Sequence, residues 1–352
     1  MIINTINYVD DWRNLGDIEI IDVRSPAEFK NDHIPGSTNI PILNNNERHR
    51  VGLKYKQVNP FKAKIIGASL ISKNISKFLE KNLSNKTGSW HPLIYCWRGG
   101  QRSRSLALVL NEIGWRVSVL QGGYKNFRGK VLNELDDVEK FNFKIIQGQT
   151  GSAKTKILSS LKKNNAQVLD LENLACHRGS LLGKEINKKQ HSQRYFETLL
   201  HNSILKFDSK YPVYLESESS KIGDLHIPKK LWKKFNNSER ILLKAPTNER
   251  VKFLLHEYSH LTKKNDLLEP FLKVMAGRYS KKIIDHWKEL IQNKDWGNFV
   301  REVLENHYDP KYNFSEIKHK DKINFKIEIK KLDKLNVDKT SKKILNYINS
   351  SN

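Results

Sequence analysis

An apolar run, Leu93-Ile94-Tyr95, delivers Cys96 into the turn Trp97-Arg98-Gly99-Gly100-Gln101-Arg102-Ser103. A helix is expected to open at about Ser103. Backbone N–H groups that converge in such a turn, the positive end of the helix dipole and the charges of Arg98 and Arg102 all favour an anion at one point. A free thiol titrates near ~8.5, and surroundings of this kind move it toward thiolate at neutral pH. Cys96 therefore reads as a nucleophile, with Arg98 and Arg102 as its anion clamps.

A second chemical signal follows about fifty residues later. Phe143-Lys144-Ile145-Ile146-Gln147 reads as a strand, Gly148-Gln149-Thr150-Gly151-Ser152-Ala153-Lys154-Thr155 as a loop, and Ile157, Leu158 and Leu161 as the apolar positions of a helix. Strand, loop and helix are the setting a phosphate-binding loop needs. Gly148 gives the tight turn, the backbone from Gly151 to Thr155 cradles phosphate oxygens with Thr150 and Ser152 in the loop, Lys154 supplies a point charge, and the Thr155 hydroxyl could hold Mg²⁺. Ala153 stands where the pattern G-x-x-x-x-G-K-[ST] has its second glycine, and its methyl restricts the positive φ that glycine reaches freely.

Two acidic stretches come next. Gln167-Val168-Leu169-Asp170-Leu171-Glu172 and Val213-Tyr214-Leu215-Glu216-Ser217-Glu218 place carboxylates after apolar runs, where open α/β sheets bind ligands at the carboxyl ends of their strands. Either Asp170 or Glu216 could face Mg²⁺, and the pattern alone does not choose between them. Glu172, His177 and Arg178 are further candidates for an acidic or RNA-contacting part of the site. No His/Cys cluster has zinc-like spacing, so no structural metal is assigned.

Positioning these loops takes two α/β domains, a number that suits the 352-residue length. Strands are expected at 18–24, 115–120 and 143–147, and again near 325–330. The stretch 238–304 reads as mostly helical, and a short helix is expected over 341–348. The boundary falls in the acidic segment Leu135-Asp136-Asp137-Val138-Glu139-Lys140, giving domains 1–135 and 136–352. With 62 Lys plus Arg against 38 Asp plus Glu, the formal net charge is +24. That balance suits a polyanionic partner such as RNA. Lysine pairs at 188–189, 229–230, 233–234, 263–264 and 281–282 interleave with Trp232, Phe235, Tyr258, Tyr279 and Trp287, of which most are expected in the core and some on unpaired bases. The two cysteines, Cys96 and Cys176, and the lack of a leader-like start or an 18-residue apolar run lead to the expectation of a cytoplasmic, membrane-free monomer.

The order of signals Asp22-Val23-Arg24, His33-Ile34-Pro35-Gly36-Ser37-Thr38-Asn39-Ile40-Pro41, the cysteine loop and Leu120-Gln121-Gly122-Gly123 resembles a rhodanese domain over about residues 5 to 130. Cys96 and Arg102 are separated by five residues, one more than in the usual sulfurtransferase loop and the same as in the phosphate loop of cysteine phosphatases. Taken alone, the domain therefore also suits a sulfurtransferase or a cysteine phosphatase fused to a nucleotide-binding domain. Further segments narrow the resemblance: Glu47-Arg48-His49-Arg50-Val51-Gly52-Leu53-Lys54-Tyr55-Lys56, Gly122-Gly123-Tyr124-Lys125, Leu171 to Ser180, Glu216 to Gly223, and His307-Tyr308-Asp309-Pro310-Lys311-Tyr312. Together with the two loops they are similar to the tRNA 2-selenouridine synthase family. The resemblance implies an N-terminal rhodanese-like domain followed by a P-loop NTPase-like α/β domain with a helical C-terminal part. It implies a transferase that geranylates the 2-thiolated wobble uridine of lysine, glutamate and glutamine tRNAs with geranyl diphosphate, then introduces selenium from selenophosphate. No covalently bound cofactor is implied. An enzyme that supplies selenophosphate would be a further partner.

Overall fold

Ten of the twelve strands among the described residues build two all-parallel sheets, one in each of two compact units. The computed structural model describes residues 5–350 apart from 14, 17, 84, 178–188 and 260–267. The first unit comprises residues 1–136 with 191–202, and the second 137–190 with 203–352.

In the first unit β1 (Asn7–Val9), β2 (Glu19–Asp22), β3 (Thr38–Asn39), β4 (Pro92–Tyr95) and β5 (Ser118–Leu120) lie in the order β1-β5-β4-β2-β3. Central β4 is buried at all four positions, as a parallel strand covered on both faces must be. The helix after it begins at Gln101 rather than Ser103, because Gly100 serves as its N-cap, and runs to Ile113. Ser103, Leu106, Ala107 and Leu110 form its buried face. Between β3 and β4 two helices intervene. Asn44 and Glu47 make a reciprocal capping box that starts Asn45–Gln57, and Asn59 with Pro60 starts Pro60–Phe78. Helix residues 193–202, distant in sequence, also belong to this unit. There Arg128 is ion-paired with Glu197.

The second sheet holds β6 (Phe143–Gly148), β7 (Gln167–Val168), β8 (Val213–Glu216), β11 (Glu239–Lys244) and β12 (Ile323–Glu328), in the order β12-β11-β6-β8-β7. A small antiparallel pair, β9 (Lys221–Ile222) with β10 (Leu225–His226), sits apart from it. Among the described residues the stretch 238–304 is mostly helical, as expected, but it opens on a strand the sequence reading did not separate. Arg240-Ile-Leu-Leu is a buried strand paired with both β6 and β12, too short an apolar run for its period to tell strand from helix. Beyond it the helices Glu269–Ala276, Lys281–Gln292 and Trp296–Val303 pack around a fully buried Trp287. The terminal helix is longer than expected, Lys334–Ser350, and lays Val337, Ile344 and Ile348 against the P-loop helix Lys154–Lys163.

Candidate functional site

Cys96 leaves the end of β4 buried, 3% exposed, and its sulfur accepts a hydrogen bond from the Ser103 hydroxyl at 3.3 Å. Ser103 is itself fully buried in the first turn of the following helix, so the thiol is held from one defined side. The loop's shape is set by a second turn. The Tyr124 N–H donates to the Cys96 carbonyl at 2.8 Å, and the Lys125 N–H to the Trp97 carbonyl at 3.0 Å. Gly99 and Gly123 both have positive φ, and a Cβ on Gly123 would stand 2.3 Å from the Cys96 carbonyl oxygen and 2.5 Å from the Gly99 nitrogen. Glycine is required at 123 by backbone proximity as well as by φ.

The two arginines of this loop fare differently. Arg98 is exposed at the mouth. Arg102 is forked onto Glu28, at 2.7 and 3.3 Å, and that pairing together with Arg48 brings the Glu28 carboxyl below its usual range despite the opposing effect of burial. Arg102 is therefore already engaged by a carboxylate inside the unit, whereas Arg98 is not drawn into it. The other rhodanese-like signals are structural. Arg24 is buried against Asp22 at 2.6 Å, donates to the Asp32 carbonyl at 2.6 Å and lies 4.0 Å from the centre of the Tyr124 ring. The Tyr124 hydroxyl donates to Asp32 at 2.7 Å. These contacts tie β2, the Asp32 turn and the Gly122-Gly123-Tyr124 turn into one frame around the cysteine loop.

In the second unit the P-loop follows β6 as the sequence indicates. Gly151 has φ +81°, and Ala153 takes φ 59°, ψ 28°, the left-handed conformation usually left to glycine. A Cβ on Gly148 would come within 2.6 Å of the Ser152 hydroxyl. The Lys154 ammonium donates to the Gly148 carbonyl at 3.1 Å and lies 5.5 Å from the Tyr312 ring centre. Buried Arg250 donates to the Thr150 carbonyl at 3.2 Å and forks onto Asp309, 2.8 Å to each oxygen. Asp309 thus anchors an arginine that steadies the loop.

A cavity of about 360 Å³ opens over this loop. It gathers Thr150, Gly151, Ser152, Lys154, Thr155, Asp170, Glu172, His177 and Glu216, with Glu218 added. Gly148 lines a neighbouring cavity of about 300 Å³ instead, and Arg178 lies outside the described residues. β7 ends at Val168, ahead of both carboxylates; Asp170 caps the helix Leu171–Ala175, accepting from the Asn173 N–H at 3.0 Å. That hydrogen bond occupies one oxygen of Asp170, which lines the cavity together with Glu172, Glu216 and Glu218. Glu216 is 5% exposed, is hydrogen-bonded with Thr155, and its Oε1 is buried without a hydrogen-bond partner.

One oxygen each from Glu172, Glu216 and Glu218 lie within 4.8 Å of one another. Burial first, then mutual repulsion, pushes Glu172 up to about 9 and Glu218 up to about 7. Burial raises Glu216 as well, against the pull of Lys154 and Thr155. Burial also works against the charge on Lys154, but Tyr312 and the three glutamates outweigh it and raise its pKa. Three carboxylates, one of which has a buried oxygen with no hydrogen-bond partner, fit a Mg²⁺ ion beside the Thr155 hydroxyl. Sequence reasoning does not single out Glu218, although its place two residues after Glu216, on the same side of an extended chain, carries the signal. Arg250 and Ser103 give no local signal. Of the interleaved aromatics, Phe235 and Trp287 are core residues.

A parallel sheet delivering a cysteine into a glycine turn, and a second one delivering a phosphate loop, define a rhodanese-like domain joined to a P-loop domain. The signature described as a rhodanese-like domain matches residues 5–130, and that described as the tRNA 2-selenouridine synthase AAA domain matches 141–269. A tRNA 2-selenouridine synthase of Sulfurovum sp. is 30% identical over 90% of this chain and 94% of its own length. The Hydrogenovibrio crunogenus protein of the same description is also 30% identical, over 90% and 94%, and that of Marinobacter nauticus is 35% identical over 71% and 68%. The chain belongs to the tRNA 2-selenouridine synthase family. No helix among the described residues is long and apolar enough to cross a membrane.

Proposed function

We propose that this protein is a tRNA-modifying transferase that converts wobble 2-thiouridine into 2-selenouridine in two steps, in tRNAs of the lysine, glutamate and glutamine type. In the first, the thiouridine sulfur attacks C1 of geranyl diphosphate, a C–S bond forms, the C–O bond breaks and diphosphate leaves. In the second, S-geranyl-2-thiouridine, selenophosphate and water give 2-selenouridine, geranylthiol and phosphate. The observation that carries the reading is the pairing, in one chain, of a thiol in an anion-binding turn with a separate phosphate loop whose cavity has an apolar and aromatic wall.

The roles divide by chemistry. The amides of 151–155 and the Lys154 ammonium hold the diphosphate of the prenyl donor, while Phe253, Leu254 and Tyr258 offer its chain an apolar wall. Glu172, Glu216, Glu218 and the Thr155 hydroxyl would hold Mg²⁺, which neutralises charge on a departing diphosphate. Cys96, oriented by Ser103, serves the chalcogen step, with Arg98 and the N-terminus of the helix at Gln101 receiving the phosphate of selenophosphate. Its net charge of +24 supplies attraction for the tRNA. The test incubates purified protein with a 2-thiouridine anticodon stem-loop and follows nucleoside mass. Geranyl diphosphate alone should yield the S-geranyl product, and added selenophosphate the selenouridine. Phosphatase or thiosulfate sulfurtransferase turnover with no RNA product would overturn the reading.

A further inference from the structure

Beside Cys96 the first unit carries a cavity of about 520 Å³, a size suited to a small ligand. Its floor is apolar: Leu43, Ala63 and Ile71 are buried beneath it. Its walls come from the two helices between β3 and β4 and from the helix after the cysteine loop. Among them Tyr55 and Leu108 remain 52% and 55% exposed. The rim is cationic, with Lys64, Arg98 and Arg104 all exposed. An apolar trough that Cys96 helps to line and that exposed positive charge edges matches a ligand with an apolar chain at its reacting centre and phosphates around it.

Resting on the proposed two-step reaction, we infer that this trough binds the geranyl chain of S-geranylated wobble uridine during the selenium step. In that substrate the chain is attached through sulfur to C2, the carbon where selenium must arrive. Placing C2 near Cys96 therefore puts the start of the ten-carbon chain in the trough, and the RNA phosphates meet its basic rim. Unmodified thiouridine offers nothing to cover Tyr55 and Leu108. The trough thus makes the second active site selective for the product of the first, because each methylene removed from water contributes about a fourfold gain in affinity.

The experiment measures binding of two fluorescent stem-loops, one with 2-thiouridine and one with S-geranyl-2-thiouridine, by anisotropy. The wild-type protein should prefer the geranylated RNA by roughly 100-fold, corresponding to partial burial of the chain. The double variant Tyr55→Ser with Leu108→Ser changes exposed side chains, so the fold should stand; circular dichroism checks this. Its preference should fall below about tenfold, while its affinity for the 2-thiouridine RNA stays put. An unchanged preference in this variant overturns the inference, as does a preference erased instead by Leu254→Ser in the P-loop cavity. Selenation of the geranylated RNA by wild-type protein is scored in parallel. If it occurs and the trough variant keeps its preference, the inference fails and the two-step reading stands; if it does not occur, the reading itself has failed.

Discussion

Substituting Gly123 by alanine tests whether the Gly122-Gly123-Tyr124 turn holds the cysteine loop in its working shape. The new Cβ would stand 2.3 Å from the Cys96 carbonyl oxygen and 2.5 Å from the Gly99 nitrogen, both backbone atoms that no rotamer change can move. The turn must swing away. It then loses the Tyr124 and Lys125 hydrogen bonds to Cys96 and Trp97, at about 1 kcal/mol each, and the φ of +55° adds roughly 1 kcal/mol of left-handed strain. The sum, about 3 kcal/mol, should lower the unfolding midpoint of this unit by roughly 10 °C.

A displacement of about 1 Å at a reacting centre costs on the order of 100-fold in rate. Selenation of geranylated RNA should therefore fall by about that factor, read by single-turnover mass analysis, while geranylation at the other unit's P-loop stays within about threefold. Gly129 is the control. It lies in the same helix, and a Cβ placed on it would meet nothing within 4 Å, so Gly129→Ala should be neutral or stabilising by about 0.5–1 kcal/mol. A Gly123→Ala protein with a wild-type midpoint and wild-type selenation would refute the reasoning.

The two loops should separate in the same assays: Cys96→Ser should lose selenium transfer and keep RNA affinity, whereas Lys154→Ala should lose geranylation and still selenate RNA supplied already geranylated. Equal failure of both steps in both variants would show a shared site. Ala153→Gly relieves about 1 kcal/mol of left-handed strain but gives up a buried methyl worth about 0.8 kcal/mol and adds unfolded-chain freedom of about 0.4–1 kcal/mol. Its stability should stay within about 1 kcal/mol of wild type, with the prenyl step unchanged or faster; a loss above ~2 kcal/mol by urea denaturation contradicts the strain argument. Glu218 and Glu172, raised to about 7 and about 9, favour the protonated fold. Their contribution is fully present below the unfolded carboxyl value and lost as pH rises through 7 and then 9. The thermal midpoint without divalent cations should accordingly fall across that window, and Mg²⁺ should restore most of it; a flat profile identical with and without Mg²⁺ would remove the carboxylate site.

Both loops are legible in the sequence because each is local: a strand, a glycine turn and a helix start within a dozen residues specify a cysteine loop or a phosphate loop. The choice between Asp170 and Glu216 is not. Both line the cavity, and they differ only in their contacts: Asp170 gives one oxygen to the Asn173 N–H at a helix N-terminus, while Glu216 has a buried oxygen with no hydrogen-bond partner. β11 is hidden for a different reason: so short an apolar run carries no period, and its identity comes from its pairing with β6 and β12.

The motif residues themselves divide into two kinds. Asp22, Arg24, Asp32 and Tyr124 form a buried frame behind the thiol loop, and Asp309 holds the arginine that steadies the phosphate loop. Removing one partner of such a buried pair strands a charge in the interior and costs about 3–5 kcal/mol. These residues can therefore be as restrictive in sequence as Cys96 or Lys154 without touching any substrate. A signature read along the chain marks a required residue; only the contacts show whether it reacts or supports.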